Sequence, residues 1–397
     1  MRPSVNLSFL TAGLLSLAVF ARDAHAGSGS QVFRSSFEAG EGASSKWVAG
    51  YYVGYEADTH PVAELDFDGL THLMVGAVLP NSDGSLTTHY YIDAFNGPLW
   101  AQGAVNAAQA AGRKAILMIG GANTIDGWRG AATVANRASF VANLLALVDQ
   151  TGVDGLDLDW EPIEAADRAP LTALAQALRA ARPNLILTLP VNVVNANFSD
   201  PVEEAAFYAG MVPYLDQINL MSYAMGYDYD GWHSWFSAPL DGEAGNTPTS
   251  IAHTVDYYLA AGVPAAKLGV GAGFFGSCYR NVTQPRVPVT FGNLVATDGD
   301  MSYRNIVDDY LPLMTAHYDA IAQSPWLASA IGRGPRACTY VTYEDATSIA
   351  AKGAFVHQRG LGGTIIWTIS QGHFSNRPAG QRDPLLDAMN DAFLSPP

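Results

Sequence analysis

The sequence predicts an α/β fold, a (β/α)8 TIM barrel with a small insertion subdomain between strand 7 and helix 7. Short apolar segments alternate with stretches of helical periodicity, and such alternation is typical of a parallel sheet covered by helices. Eight such units over about 350 residues favour a closed barrel, and a doubly wound open sheet is the alternative. Of the 397 residues, 49% are hydrophobic and 15% are charged, so the chain can bury a large core.

The predicted elements follow one another along the chain. Strands are predicted at residues 47–53, 70–79, 113–120, 153–161, 185–191, 217–223, 267–275 and 363–369. Helices are predicted at residues 98–111, 138–150, 169–181, 201–212, 249–261 and 345–359. In the second of these helices Phe140, Leu144 and Val148 recur every four residues, which indicates one buried helix face.

The fourth strand, residues 153–161, carries the strongest chemical signal. Because successive side chains of a strand point to opposite faces, Asp157, Asp159 and Glu161 share one face, and apolar side chains fill the other. Carboxylates so close repel one another, so the pKa of the last one can rise until it stays protonated near neutral pH. A general acid needs that proton, and Glu161 ends its strand, where such barrels place their catalytic groups.

A metal site is the alternative interpretation of this acidic run. Calcium-binding loops place glycine, asparagine and turn residues between their ligands, whereas leucine and tryptophan occupy those positions here. A zinc site would need histidine or cysteine partners at short spacing, and the sequence offers none. We therefore expect a carboxylate site without a metal or an organic cofactor.

The segment between the seventh strand and its helix, residues 277–343, is too long for a simple loop and predicts the insertion subdomain. It contains both cysteines of the chain, Cys278 and Cys338. A disulfide between them is expected in an exported protein, and two free buried thiols are the alternative.

The amino-terminal residues predict export. Arg2 precedes a short apolar stretch, and Ala24 and Ala26 form a cleavage site of the A-x-A type. We expect residues 1–26 to be a signal peptide cleaved after Ala26, residues 27–46 a flexible leader, and residues 47–395 the catalytic barrel of a secreted protein. The net charge of −16 argues against nucleic acid or an anionic membrane as a partner.

The acidic strand also carries a family resemblance. Residues 154–161 fit the pattern DxxDxDxE, with glycine after the first aspartate and tryptophan before the glutamate, and so resemble family 18 glycoside hydrolases, the chitinases. Segments of other predicted strands resemble the same family in the same order, at residues 50–52, 70–73, 119–121, 217–223, 262–276 and 362–367. The resemblance covers residues 47–370 and implies hydrolysis of β-1,4-linked N-acetylglucosamine polymers or oligomers.

The resemblance also implies a retaining mechanism in which the substrate's own acetamido group is the nucleophile. Glu161 would be the general acid and base, Asp159 would orient the acetamido group, and Asp157 would share a proton with Asp159. Tyr223 would donate a hydrogen bond to the acetamido oxygen, and Trp367 would form the apolar floor under the sugar. Tyr51 would also support the buried aspartates from below. The remaining motif residues are assigned to substrate binding (Tyr51, Met221, Gln217) or to structure (Asp154, Gly120, Gly121).

Several positions depart from the family pattern. The serine of the third-strand motif is Met118 here, so Asp157 loses a hydroxyl partner. The aspartate that commonly follows the sixth-strand tyrosine is Ala224, which puts the rate and the pH optimum in question. Phe275 and Ser277 stand where tyrosine and arginine are common, so sugar contacts there are expected to differ.

Aromatic residues outside these motifs are weaker candidates. Trp232, Trp235 and Trp128 follow predicted strands, where aromatic faces can stack on sugar rings, and local packing is the alternative. Two other functions fit the same fold, a chitin-binding lectin and an endo-β-N-acetylglucosaminidase acting on N-glycans. The complete set of catalytic carboxylates favours an enzyme, which we expect to act as a monomer on chitin or chito-oligosaccharides.

Overall fold

The computed structural model describes residues 46–198 and 202–395. The predicted signal peptide and all but the last residue of the predicted leader lie outside the described residues, so secretion and cleavage after Ala26 stay predictions. No helix in the described ranges is long and apolar enough to cross a bilayer.

The elements alternate much as the sequence predicts. The strands among the described residues are β1 (Trp47–Val53), β2 (His72–Pro80), β3 (Leu86–Thr87), β4 (Lys114–Gly121), β5 (Gly155–Trp160), β6 (Ile186–Val191), β7 (Gln217–Leu220), β8 (Leu268–Gly273), β9 (Phe275–Tyr279), β10 (Leu294–Ser302), β11 (Thr315–Asp319), β12 (Ser324–Arg333), β13 (Cys338–Thr342) and β14 (Gly363–Trp367). The α-helices in the same ranges are α1 (Asn96–Ala110), α2 (Ile125–Ala131), α3 (Arg137–Thr151), α4 (Arg168–Ala181), α5 (Val202–Met211), α6 (Ile251–Ala260), α7 (Tyr303–Asn305), α8 (Ala346–Gln358) and α9 (Pro384–Met389).

Eight of these strands close into a parallel barrel. They pair in the order β1, β2, β4, β5, β6, β7, β8 and β14, and β14 pairs with β1 again. A doubly wound sheet would leave two open edges, whereas β1 has a parallel partner on both sides. The predicted (β/α)8 barrel is therefore confirmed.

Two layers of apolar side chains hold the barrel together. On the outside, helices cover the strands with a stripe at three- and four-residue spacing, as in α4, where Leu171, Leu174 and Leu178 are buried. On the inside, a second cluster fills the barrel, and its fully or nearly fully buried members are Ala49, Tyr51, Val53, Met74, Ala77, Ile116, Met118 and Ile365. Because both faces of the strands are covered, the acidic residues of β5 are enclosed by protein rather than by water.

The segment between β8 and α8 forms a second, antiparallel sheet in the order β10, β9, β13, β12, β11. This sheet spans residues 275–342, which overlaps the predicted insertion at residues 277–343. Cys278 of β9 and Cys338 of β13 are joined by a disulfide with an Sγ–Sγ distance of 2.01 Å. The sheet brings the Asp298 side chain of β10 to the mouth of the barrel, next to Trp367 at the end of β14.

Candidate active site

The acidic residues of β5 line the interior of the barrel. Asp157 is fully buried and Asp159 is 2% exposed, while Trp160 points outward and stacks on Trp128 with ring centroids 5.1 Å apart. Glu161, the next residue after the strand, is partly exposed at the barrel mouth. The alternation expected of a strand therefore points the three carboxyls into the barrel, in a line that leads toward its mouth.

Two hydroxyl groups hold Asp157. The Tyr51 hydroxyl donates to Oδ2 at 2.7 Å, and the Thr188 hydroxyl donates to Oδ1. Burial raises the pKa of Asp157 to about 6, and the hydrogen bonds from Thr188 and Tyr51 counteract that rise because they favour the charged form. The role of Tyr51 is thus to position the aspartates, although its ring also borders the cavity described below.

Thr188 is a functional residue that the sequence reasoning missed. In the sheet register, Met118 of β4 and Thr188 of β6 flank Asp157 on either side. The hydroxyl that Met118 cannot supply comes from the opposite neighbour. A signal was present, since Thr188 is the one hydroxyl residue in the otherwise apolar predicted strand at residues 185–191.

Asp159 and Glu161 are neighbouring carboxyls that influence each other's affinity for protons. Asp159 Oδ1 is buried and receives no hydrogen bond from the described residues, and the Glu161 carboxyl lies beside it. Burial raises the pKa of Asp159 well above its ordinary value, and the charges of Glu161 and Asp157 add to the effect. Burial also raises the pKa of Glu161, while its hydrogen bond with Asp159 lowers it. A proton held between two carboxyls at the barrel mouth is available for transfer.

Gly120 and Gly121 let the end of β4 pass close to this pair. Both have positive φ angles, 96° and 101°, which a side chain makes costly. A Cβ on Gly120 would collide with the Trp128 indole, whose Nε1 donates to the Asp159 carbonyl oxygen at 3.1 Å. Trp128 is fully buried here, which agrees with the packing alternative for this residue, and it supports β5 from behind.

Asp154, at the start of the motif, lies away from the other carboxyls. Its Oδ1 forms an ion pair with Lys114 at 2.7 Å, and its Oδ2 accepts a hydrogen bond from the Ala115 amide at 3.0 Å. These contacts join the starts of β4 and β5, which is a structural role.

A cavity of about 230 Å³ opens beside Glu161. Its lining residues are Tyr51, Ala122, Asp159, Glu161, Pro190, Met221, Tyr223, Ala224, Phe275, Thr297, Asp298 and Trp367. Burial, followed by the charges of Glu161 and Asp159, raises the pKa of Tyr223 well above its ordinary value, so its hydroxyl keeps its proton and can donate a hydrogen bond. The cavity thus combines a proton donor, a hydroxyl donor and an aromatic wall.

Trp367 forms one wall of the cavity at the end of β14. Its ring lies 5.3 Å from the Tyr51 ring, and its indole Nε1 donates to Asp298 Oδ1 at 3.1 Å. Asp298 comes from β10 of the insertion sheet, and no pattern in the sequence singled it out. It brings a carboxylate to the same cavity lining as Ala224, the position where the sequence lacks the expected aspartate.

A second cavity of about 480 Å³ adjoins the first on the side of β1 and β2. The two cavities share Ala122, Asp298 and Trp367 in their linings, and Tyr55 and Tyr91 border the second one. The rings of Tyr55 and Tyr91 lie 5.7 Å apart and are about half exposed. The candidate site is therefore an elongated groove with exposed aromatic side chains at one end.

Three predicted substrate-binding residues lie outside the groove. Gln217 is the first residue of β7, at the far end of the strand from the cavity, where its Oε1 accepts a hydrogen bond from Asn219 at 3.2 Å. Trp235 is fully buried, and its Nε1 donates to the Thr249 carbonyl oxygen at 2.8 Å. Trp232 packs against the insertion sheet. The loop after β7 is covered by that sheet, so the buried Trp235 indole serves packing, while Trp232 is half-buried and lies outside the linings of both cavities.

One group among the described residues has the spacing of a metal site. Ligand atoms of His60, His373 and Asp383 lie within 4.8 Å of one another. However, His373 Nδ1 lies 2.9 Å from Asp383 Oδ1, and its Nε2 lies 3.0 Å from Glu64 Oε2. A metal would have to displace one of these carboxylates, so the group is better explained as a structural contact between the carboxyl-terminal segment and the loop after β1.

Comparison with known proteins gives concordant results. The family described as Glycosyl hydrolases family 18 matches residues 47–372. A "Probable chitinase 2" of Drosophila melanogaster is 29% identical over 325 residues, which is 71% of this chain but only 64% of the fly protein. A "chitinase-like effector" of Moniliophthora perniciosa is 25% identical over 87% of this chain and 86% of its own length. The crystal structure of a Group IV chitinase of Ostrinia furnacalis in complex with allosamidin superimposes with a TM-score of 0.72 at 23% identity, over 87% of this chain and 98% of that one, which supports the fold.

Proposed function

This chain belongs to glycosyl hydrolase family 18, and we propose that it is a secreted chitinase that hydrolyses β-1,4-linked N-acetylglucosamine polymers and oligomers. One observation carries the proposal. Glu161 stands at the mouth of the barrel beside the buried Asp159, in the same cavity as the Tyr223 side chain and the Trp367 ring. The family relatives include proteins described as chitinases, which is consistent with this substrate.

We assign the first chemical step to Glu161. Its carboxyl proton passes to the glycosidic oxygen, while the carbonyl oxygen of the substrate's 2-acetamido group bonds to the anomeric carbon as the glycosidic bond breaks. The product on the enzyme is an oxazolinium ion with a positive charge. Asp159, whose own proton has moved to Asp157 on the buried side, accepts a hydrogen bond from the acetamido N–H and stabilises that positive charge by its own negative charge.

The second step returns the proton to Glu161. The Glu161 carboxylate takes a proton from water, and the hydroxide oxygen bonds to the anomeric carbon as the oxazolinium ring opens. Because each of the two displacements inverts the configuration of the anomeric carbon, the product keeps the β configuration. On the buried side, Asp157 shares a proton with Asp159. The hydrogen bonds from Tyr51 and Thr188 keep the Asp157 carboxyl in place.

The groove supports a polymeric substrate. The cavity beside Glu161 continues past Trp367 into the second cavity, where Tyr55 and Tyr91 present aromatic faces. Aromatic faces suit the apolar faces of sugar rings, so several sugar units can be accommodated on that side of the cleavage point.

A chitin-binding protein without activity is the second candidate. A relative described as a "chitinase-like effector" matches most of the chain, and Ala224 stands where the family commonly has an aspartate. The groove would be retained in such a protein, so binding alone does not separate the two functions.

One experiment distinguishes the enzyme from the binding protein. It measures hydrolysis of chitotetraose, colloidal chitin and an N-glycopeptide and follows the product anomers by NMR. Release of β-anomeric products from the first two substrates is expected, and Glu161→Gln should abolish it while binding of chitotetraose persists. Glu164→Gln is the matched control, because Glu164 is 60% exposed on the same loop and pairs only with groups outside the cavity. Tight binding without cleavage by the unmodified protein would support the binding protein, and cleavage of the glycopeptide alone would indicate an endoglycosidase.

A further inference from the structure

Glu161 lies beyond the part of β5 that the barrel sheet holds. The last residue of β5 that pairs with β4 is Trp160, and the last that pairs with β6 is Asp157, well before Glu161. The sheet therefore does not fix the Glu161 carboxyl by itself. Its position depends on the contacts that hold the chain just before it and just after it.

The short helix α2 makes contacts on both sides of Glu161. Before it, the Trp128 indole donates to the Asp159 carbonyl oxygen at 3.1 Å. After it, the next residue of the helix, Arg129, donates to both carboxyl oxygens of Asp167, from Nε at 2.8 Å and from Nη2 at 3.0 Å. A pair of parallel bonds between a guanidinium and a carboxylate fixes direction as well as distance.

Asp167 passes this restraint to the segment between Glu161 and α4. Its carboxyl is 2% exposed, and Oδ2 also accepts a hydrogen bond from the Glu164 amide at 2.9 Å. The Glu164 carboxyl makes its own ion pair with Arg129, but it is 60% exposed and such pairs contribute little. The Arg129–Asp167 pair therefore supplies most of the restraint on residues 162–167.

The helix α2 is itself held firmly, because it packs closely on the end of β2 and the chain that follows. A Cβ on Gly127 would collide with the Pro80 carbonyl oxygen, and one on Gly130 would collide with Ser82. The Asn136 amide also donates to the Ser82 carbonyl oxygen at 3.0 Å. A contact with α2 is therefore a contact with the body of the barrel.

We propose that Arg129 is a positioning residue that acts through Asp167 on the Glu161 carboxyl. The pair holds the segment after Glu161 in place, so the carboxyl stays beside Asp159 at the edge of the cavity. Arg129 itself lies outside the linings of both cavities of the groove. This inference rests on the proposed function only in taking Glu161 as the proton donor.

Arg129→Met, with Arg182→Met as the matched control, tests this role by kinetics on chitotetraose. Each arginine makes two bonds to one aspartate, and their side chains are 39% and 40% exposed, but Arg182 pairs with Asp149 of α3, on the outside of the barrel. Since a displacement of about 1 Å can cost about 100-fold in rate, we expect kcat of Arg129→Met to fall by about 10- to 100-fold. KM should stay close to that of the unmodified protein, because the cavity lining is retained. Arg129→Lys should lie between the two, because an ammonium group cannot reproduce the two parallel bonds. Equal losses of kcat in Arg129→Met and Arg182→Met would overturn the proposal.

A second variant separates positioning from stability. Arg129→Met leaves the buried Asp167 carboxylate without its cation, which destabilises the fold. The double variant Arg129→Met/Asp167→Asn removes both charges and keeps a side-chain oxygen to accept the Glu164 N–H. Its kcat should still be low, because the link to α2 is missing. Recovery of the unmodified kcat in the double variant would mean that stability alone was affected, and the proposal would be wrong.

A titration of the Glu161 carboxyl by NMR tests its position without any turnover. Glutamate labelled with 13C at the carboxyl carbon provides the signal, and Glu161→Gln identifies the resonance. Burial raises the pKa of this carboxyl, and its hydrogen bond with Asp159 lowers it. Asp157, Tyr91 and Tyr223 are further titratable groups in electrostatic contact with it.

The midpoint of that titration should change only when the link to α2 is lost. In Arg129→Met and in the double variant the carboxyl is less enclosed, so its midpoint should fall toward the ordinary glutamate value, whereas loss of a nearby cation would by itself raise it. In Arg182→Met the midpoint should equal that of the unmodified protein. An unchanged or raised midpoint in Arg129→Met would overturn the proposal. No turnover by the unmodified protein, together with the expected fall, would reject the chitinase proposal and still support a positioning role for Arg129.

Discussion

Replacing Thr188 by valine tests the support of the buried aspartate. The substitution keeps the shape of the side chain and removes one of the two hydroxyls that donate to Asp157. Loss of a hydrogen bond to a charged group costs about 1.5–3 kcal/mol, and the loss falls on the ionised form. The pKa of Asp157, which burial already raises to about 6, therefore rises further in Thr188→Val.

The consequence for activity has a definite sign. The acid limb of the pH–rate profile should move upward by roughly one pH unit, because Asp157 takes up its proton more readily. The loss of kcat should thus be greater at pH 5 than at pH 8. Stability should show the opposite trend, with the larger loss of unfolding free energy at pH 8, where Asp157 is ionised and lacks a donor.

The assays are chitotetraose hydrolysis across pH 4–9 and urea unfolding at pH 4.5 and 8. Thr364→Val is the matched control, because Thr364 is an equally buried threonine of β14 whose hydroxyl faces a main-chain oxygen and not a carboxylate. Its effect on stability should not depend on pH. An unchanged acid limb in Thr188→Val, together with a pH-independent loss of stability, would refute the assignment of Thr188 as the partner of Asp157.

Three further outcomes follow from the structure. Trp235→Ala should lower the unfolding free energy by about 3–5 kcal/mol and leave KM for chitotetraose unchanged, whereas Trp367→Ala should raise KM with a smaller loss of stability, as measured by denaturation and kinetics together. The unmodified protein should lose about 3 kcal/mol of unfolding free energy between pH 4.5 and 8, because Glu56 releases its proton near 4.5 in the unfolded chain but only near 7 in the folded protein. Glu56→Gln lacks this titration, so the variant should gain stability over the unmodified protein at pH 8 compared with pH 4.5, as urea unfolding at both pH values measures. Replacing Cys278 and Cys338 by alanine together should lower the unfolding free energy by about 4 kcal/mol in the chain-entropy account, since the disulfide closes a loop of sequence separation 60, and urea unfolding measures this.

The sequence predicted the parts of the site that depend on one strand. The two-residue period of β5 placed Asp157, Asp159 and Glu161 on one line, and the motif identified the fourth strand without any tertiary information. The closed barrel was predictable for a similar reason, because alternating strands and helices repeat a local pattern eight times.

Most contacts between segments distant in the sequence could not be predicted from local patterns. Thr188 is 31 residues from Asp157, and the pairing depends on the register of two strands. Asp298 reaches Trp367 from an irregular strand of the insertion sheet, with a φ of 49° at Asp298 itself. The burial of Trp235 could not be predicted because nothing in its local sequence shows that another sheet covers its loop.

The pairing of β14 with β1 determines when the barrel and its groove can be completed. A growing chain that stops before residue 363 has β1 and β8 as open edges, and it lacks the strand that carries Trp367. Such edges are templates for pairing with other chains, so the incomplete form is exposed to aggregation as well as inactive. The carboxyls of β5 are synthesised well before that point, but the ring opposite them belongs to the last strand, so pairing that strand with the first one closes the barrel and completes the groove together.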